Sequence, residues 1–499
     1  INLTSGTLTI DKNLTLNNSN HPSGISISGS GDNITINTGK KLTIAGNGKI
    51  TVIGAIKNNA GISGLQIESG ASFIQNNINL AATVKRELSN KWHLFGSPFK
   101  KNLGNILANI TPIGGSIQLK LYTNGTDWIT NVTSPNYYLL PTQGYAVKPN
   151  ITFTASLSGN LYYSPTSFDY TNTLVYNGTS SIQSWNLMAN PYTSYLDWKL
   201  LGKTNLNNSL YLWDNTLYPT ISPVANATYF RTFNAQTGVG VPSGTLPFIA
   251  PFQGFFVKAI STNPKLSFPP SARVHNTATY YKEASITEIL LRLKTETDEG
   301  IDELVICKNP DAKLDFEGFD AEKMFNGNPL EMYTQSTTGE RLVINTINTT
   351  TQTVIPLGIN GNAGKKAKIT AFALETSENV YLEDRFKGKL ISLSENTTYE
   401  FEFPTDHIMG RFFIRFGDIN TALQLSDVKV FENDNMLNII AQTGENIEMV
   451  EVFTITGASV YKTDAGSNML TAKLDLTTGV YLVRVKTNIG IQNVKVNWR

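Results

Sequence analysis

The sequence predicts an all-β, multidomain protein, and three observations carry that reading. Charged residues make up 16% of the chain, against about 25% in typical soluble proteins. Asn, Thr, Ser and Gly take their place, and these short polar residues favour strands and tight connections over helices. Apolar residues flanking a single Thr or Ser recur through the N-terminal region, which is the period-2 signature of a strand. Finally, 499 residues are too many for one hydrophobic core and should divide among several.

Residues 1–75 hold the repeats: Leu8-Thr9-Ile10, Leu14-Thr15-Leu16, Ile25-Ser26-Ile27, Ile34-Thr35-Ile36, Leu42-Thr43-Ile44, Ile50-Thr51-Val52 and Leu65-Gln66-Ile67. Their spacing is too short for helix-containing repeats. It suits the stacked strands of a right-handed β-solenoid or a very regular sandwich. Either would bury one apolar stripe and expose ladders of Thr and Asn. The repeats start at Ile1 with no basic-then-apolar leader before them, so more solenoid and a removed signal peptide are expected upstream.

Residues 76–168 and 169–280 read as two copies of one β-module. WHLFGSPF from Trp92 matches WNLMANPY from Trp185, Leu119–Tyr122 matches Leu210–Trp213, and Gln143–Lys148 matches Gln253–Lys258. The second copy carries an insertion of roughly twenty residues between Trp213 and Gln253, the difference between the offsets at either end of that stretch. Each copy predicts a strand, a Pro-marked turn, a short helix, a strand and a Gly-led strand. Leu103, Ile106, Leu107 and Ile110 fall at helical spacing behind a possible cap at Asn102. Thr193 or Ser194 could cap the turn that holds Leu196 and Trp198. Equivalence of the copies requires Trp92 and Trp185 to occupy equivalent buried positions.

Residues 283–419 predict a β-sandwich of about seven short strands. Composition changes here: residues 1–282 hold 19 Lys and Arg against 8 acids, and residues 283–499 hold 21 against 31. The basic half could attract an acidic polymer such as surface polysaccharide. Its lysines are scattered, which suits a solvated surface and gives no support to a nucleic-acid partner. No apolar run is long enough for a transmembrane span. The single cysteine, Cys307, excludes an intrachain disulfide, and its apolar alternating surroundings suit a buried thiol.

The chain closes with residues 425–499, an expected small antiparallel Ig-like sandwich. Val450–Ile455 alternates and stops at Thr456-Gly457; Ala458–Tyr461 resumes the pattern; Gly479-Val480-Tyr481-Leu482-Val483-Arg484-Val485 follows. Val480, Leu482 and Leu474 are expected on a buried face, with Tyr481, Val483 and Val485 presented on the other, and Gly479 supplying a turn. In order and spacing, Phe453–Gly457, Leu476–Val485 and Val494-Lys495-Val496 resemble the type A-like C-terminal sorting domain of proteins exported by the Bacteroidota type IX secretion system. The opening Tyr-Pro-Asn-Pro usual in that family is replaced by Val430–Asn435. The duplicated modules resemble ones common in type IX-exported surface proteins, through Trp185-Asn186-Leu187, Asn190-Pro191-Tyr192, Asp197-Trp198, Leu212-Trp213-Asp214 and Gln253–Ala259. Residues 283–419 resemble a sandwich that often precedes such a sorting domain, through Asp302-Glu303, Asp315, Asp320–Lys323, Leu382–Asp384 and Arg411-Phe412.

What this resemblance implies is a route. The protein would pass through the periplasm and across the outer membrane to the cell surface or the medium. Its folded tail would be read by the type IX translocon and an outer-membrane shuttle barrel. Gly457, Gly479, Val480, Tyr481, Leu482, Val483, Arg484, Val485 and Lys495 would form the sorting signal.

No stretch announces a chemistry. Asp298, Glu299, Asp302, Glu303, Asp315 and Asp320 could offer oxygens to Ca²⁺, but they lack EF-hand spacing, and charged turns on a solvated edge explain them better. Asp197 and Asp214 sit beside aromatics and suit turn caps rather than a glycosidase pair. His21, His93, His275 (in a linker) and His407 lie near no nucleophile elbow, and Gly29–Gly31 has only a repeat turn as context. No cofactor is expected. Trp128, Tyr137, Tyr138 and Tyr218, with Tyr162-Tyr163 and Tyr229-Phe230, lie in polar stretches, where aromatic rings beside amides can stack on sugar faces. The expected function is therefore a non-enzymatic surface protein, an adhesin or a component serving gliding or attachment. The alternative is the accessory glycan-binding part of a larger secreted polysaccharide-degrading enzyme.

Overall fold

The computed structural model describes the chain except residues 1–6, 11–13, 17–24, 28–32, 47, 100, 103–110, 126–127, 130–137, 171–173, 179–183, 215–228, 276–286, 352, 377, 418–427, 434, 442–445, 488–489 and 499. Among the described residues the regular elements are strands, apart from three single-turn 3₁₀ helices. The chain divides into two compact units, residues 1–376 with 382–414 and residues 377–381 with 415–499.

The N-terminal repeats form a solenoid, because equivalent strands of successive coils pair in parallel, whereas neighbours in a hairpin sandwich pair antiparallel. Thr7–Ile10, Asn33–Ile36 and Ile56–Asn58 make one sheet; Leu14–Leu16, Leu42–Ile44 and Leu65–Ile67 belong to a second; Ile25–Ile27, Lys49–Val52 and Ser72–Gln75 make a third. The triplets seen in the sequence are thus successive sides of each coil. Ile34, Ile36, Leu42, Ile44, Ile50, Val52, Leu65, Ile67 and Phe73 stack inside, and Thr35, Thr43 and Thr51 between them lie half-buried. Each enclosed Ile or Leu contributes about 1.5–3 kcal/mol. The second sheet continues through Ala81–Leu88, parallel to Leu65–Ile67, and then Phe153–Asn160, antiparallel. The first module therefore shares the solenoid's core.

The two modules have the same sheet in the same register. In the first, His93–Gly96 pairs with Gly144–Pro149, which pairs with Ile117–Tyr122, which pairs with Trp128–Ile129. In the second, the order is Trp185–Ala189, Gly254–Lys258, Ser209–Asp214, Tyr229–Asn234, with Val239–Val241 added beyond. Leu94↔Ala146 and Lys120↔Ala146 correspond to Leu187↔Phe256 and Tyr211↔Phe256. The copies meet reciprocally about a local twofold. Gly96 N donates to Phe252 O at 2.7 Å, and the equivalent Ala189 N donates to Thr142 O at 2.8 Å. Bridges Phe95↔Gln253 and Gln143↔Met188 repeat the exchange. Gly144 and Gly254 allow this approach, since a Cβ would stand 2.6 Å from Leu187 Cγ at the first and 2.9 Å from Leu94 Cβ at the second.

The expected helix at 103–110 lies outside the described residues, and Asn102 sits in the short strand Lys101–Asn102. In the second copy the turn at Trp198–Leu200 is 3₁₀, and its cap is Asp197, which accepts from Lys199 N at 2.9 Å, not Thr193 or Ser194. Thr193 instead donates to Phe73 O of the solenoid at 2.7 Å.

Residues 287–416 form one continuous sheet of eleven strands rather than a sandwich of about seven. It curls until its ends touch. Tyr399, on the edge strand Thr397–Glu402, donates to Asp384 Oδ2 at 2.8 Å, and Phe401 lies 4.9 Å from Phe412. The C-terminal unit has two antiparallel sheets. Lys429–Asn433, Met436–Ile440 and Met469–Lys473 form one; Ser459–Ser467, Ile447–Thr454, Gly479–Thr487 and Gly490–Trp498 form the other. Leu437, Ile439, Val450, Val452, Val483, Val485 and Trp498 fill the core between them.

Candidate functional site

In the C-terminal unit the strand Gly479–Thr487 alternates in the sense opposite to the expected one. Tyr481, Val483 and Val485 point into the core, while Leu482 is 39% exposed and Val480 and Arg484 are half-buried on the outside. The partner sheet decides this, since Leu437 and Ile439 supply apolar surface to the Tyr481 face. Tyr481 Oη donates to Thr477 O at 3.1 Å, which satisfies its polar end. Gly479 is not a turn residue: it pairs with Trp498 as the first residue of the strand. The turn glycine is Gly457, at φ +90° between Thr454 and Ala458.

The outward side of this sheet thus carries half of the motif. Arg484 lies over the Phe453 ring at 4.8 Å, and Lys495 stands exposed opposite Leu482. Ile455 is 80% exposed beside the Gly457 turn. Around the edge, Phe431, Glu432, Asn433, Lys495 and Asn497 line an open groove of about 620 Å³. The result is an apolar stripe flanked by charges of both signs, with Arg484 4.0 Å from Glu451 and Lys486 2.9 Å from Glu448, above the inward residues that fill the core.

Of the proposed sugar-stacking rings, Tyr137 and Tyr218 lie outside the described residues, and Tyr138 is placed only as a backbone position in the strand Tyr138–Leu139. Trp128 is described, and it is a strand residue rather than a loop residue. Its ring meets Tyr122 edge-on at 5.2 Å and Phe256 at 6.1 Å. The equivalent pair in the second copy, Phe230 and Trp213, also meets edge-on at 5.2 Å. Duplication therefore accounts for Trp128 as part of the cluster between modules. Trp185 is buried as expected, whereas Trp92 is only half-buried.

Three of the acids expected on a solvated edge are buried. Asp298 and Glu299 do pair with exposed Lys365. Asp302, however, holds Lys323 and accepts from Met332 N, Glu303 accepts from Ser243 N, and Asp320 accepts from Thr346 N and Glu317 N. Burial pushes the Asp320 carboxyl up to about 7. The backbone of this segment is held by the second module. Asn234 donates to Gly318 O and Asp320 O at 3.0 Å each, and Tyr211 donates to Glu322 O at 2.9 Å. Lys258 pairs with Glu322 at 3.2 Å, with its ammonium 4.8 Å from the centre of the Trp185 ring. Asp214 is paired with Arg231 at 2.6 Å. Among the described residues no group of three or more His, Cys, Asp or Glu is placed to hold a metal ion.

His275, read as a linker residue, is a staple. Thr51 Oγ1 lies 2.8 Å from Nε2 and Ser72 Oγ lies 2.7 Å from Nδ1. Burial and then nearby Lys49 lower its pKa to about 4, so the ring is neutral near pH 7 and donates through one nitrogen while accepting through the other. Beside it Arg273 donates to Gln75 O and to Asn76 Oδ1. These contacts join the end of the second module to the solenoid. No sequence signal marked them, because the partners are about 200 positions away. Cys307 is buried, and desolvation pushes its thiol up to about 12.

A family model described as a domain of unknown function (DUF8693) matches residues 4–416. No curated protein matches. Among solved structures, a biofilm-associated protein's BSP domain is similar at 10% identity with a TM-score of 0.11, over 82% of this chain and 59% of that one. The chain thus spans about three fifths of that structure's length.

Proposed function

The chain belongs to the DUF8693 domain family, and from that premise we propose that residues 1–416 are the exported body of a non-enzymatic surface protein and residues 425–499 its address for type IX secretion. The observation that carries the reading is a coincidence of boundaries. The family match ends at Phe416, and the main segment of the C-terminal unit starts at Arg415, with residues 377–381 belonging to that unit as well. An address can be appended to many bodies only if it folds on its own core, and this unit has one. In this reading the translocon and the shuttle barrel meet the outward stripe of Phe453, Leu482, Arg484 and Lys495, while Tyr481, Val483 and Val485 hold its shape. The body would be presented at the cell surface, where its solenoid and paired modules serve attachment.

Deleting residues 421–499 in a type IX-competent strain tests this. The expected result is a folded body that accumulates in the periplasm, as judged by fractionation and protease resistance. Truncated protein reaching the surface in normal amount would refute the address.

A further inference from the structure

The local twofold relates a covered face to one of the same design that the chain's own acidic segment leaves uncovered. In the second module, Trp185, Tyr211 and Lys258 receive the extended segment around Glu322: Tyr211 Oη binds its carbonyl at 2.9 Å, Lys258 binds its carboxylate at 3.2 Å, and Ser209 Oγ lies 3.3 Å from Asp320 O. The equivalent positions in the first module, by register, are Trp92, Lys120, Lys148 and Gln118. Each face holds an ammonium over its Trp, from different strands: Lys120, at the position of Tyr211, lies 4.9 Å from the centre of the Trp92 ring, and Lys258, at the position of Lys148, lies 4.8 Å from that of Trp185. Trp92, Lys120 and Lys148 are half-buried and Gln118 is exposed. Among the described residues neither Lys120 nor Lys148 has a carboxylate partner. Where the covered face offers one lysine and a tyrosine, this one offers two lysines.

We propose that the Trp92–Lys120–Lys148 face is a docking site for an extended, carboxylate-bearing segment of a partner protein, seated as residues 318–324 are seated on the second module. The chain's own segment sets the chemistry: a backbone carbonyl for one side chain, an acid for the lysine, and an apolar residue such as Met324, which packs against the aromatic cluster around Trp185. Two lysines replacing a tyrosine–lysine pair favour a segment at least as acidic as this one.

The probe is a fluorescent peptide of residues 315–326, DFEGFDAEKMFN, titrated into the full chain by anisotropy at low salt. Its built-in copy stays seated on the second module, so the added peptide reports the first. Saturable binding is expected, weakened about tenfold or more by Lys120→Gln with Lys148→Gln and by Glu322→Gln in the peptide. The paired lysine substitutions should leave the thermal midpoint unchanged. A scrambled peptide binding equally well, a lysine variant binding like the parent, or no saturation at millimolar peptide would overturn the proposal. Displacement of the peptide by polygalacturonate at lower concentration than by unlabelled peptide would also overturn it, by making the face a polysaccharide site.

Discussion

Trp92 stands just before, and Trp185 at the start of, equivalent strands, and each ring receives a lysine ammonium, Lys120 in one copy and Lys258 in the other, yet one ring is half-buried and the other buried. The difference arises outside the modules. The second copy has the 318–324 segment laid across its face, and the first shares its opposite face with the solenoid core through Phe95, Leu119, Tyr145 and Val147. Gene duplication preserved register and glycine placement, while burial was set afterwards by what each copy met. Sequence equivalence is therefore a guide to backbone geometry and a poor guide to exposure.

The sharpest way to break this comparison is to truncate both rings. Trp185→Ala should cost about 3–5 kcal/mol, as a core truncation, and Trp92→Ala well under half of that, measured by denaturant unfolding. Equal costs would mean that the first face is covered after all. Lys258→Met leaves Glu322 buried without its partner and should cost about 3–5 kcal/mol, whereas Lys148→Met should stay within about 0.5 kcal/mol as a surface change. The glycines test what the copies share: Gly144→Ala and Gly254→Ala should each cost about 1–3 kcal/mol by overpacking the twofold contact. A large asymmetry between them would contradict the reciprocal packing.

The last test is a pH slope. The Asp320 carboxyl titrates near 7 in the fold and near 3.8 in the unfolded chain, so the native state holds the extra proton between those values. Stability from this group falls as pH rises through about 4 to 7, by at most about 1.4 kcal/mol per pH unit. His275 has the opposite sign: its folded value near 4 lies below its ordinary 6.5, the unfolded chain holds the extra proton, and stability rises with pH across that window. Asp320→Asn should therefore leave the rising slope and His275→Gln the falling one, as read from thermal midpoints between pH 4 and 7.

Much of the backbone was legible in the sequence. The Thr-centred triplets marked solenoid strands, because strand periodicity needs only local alternation, and the QG and Trp motifs marked the modules because they are literal repeats. What stayed hidden depends on distant partners. The strand Gly479–Thr487 is apolar on both sides at its start, so alternation could not say whether Leu482 or Val483 faces inward; Leu437 and Ile439 of the other sheet settle it. Asp302 and Asp320 read as turn acids because nothing local announced the backbone amides that bury them. His275 had no motif at all. Trp128 sat in a polar stretch, and only its pairing with Tyr122 across the strand revealed its place in a core.

The central claim, that the C-terminal unit is an address read on its outward stripe, is tested most directly by fusing residues 421–499 to an unrelated periplasmic reporter in a type IX-competent strain. The parent fusion should send the reporter outside the cell. Leu482→Glu with Lys495→Glu should fold with an unchanged thermal midpoint and keep the reporter in the periplasm. A reporter retained with the parent tail, or exported as well by the altered stripe as by the parent, would contradict the account.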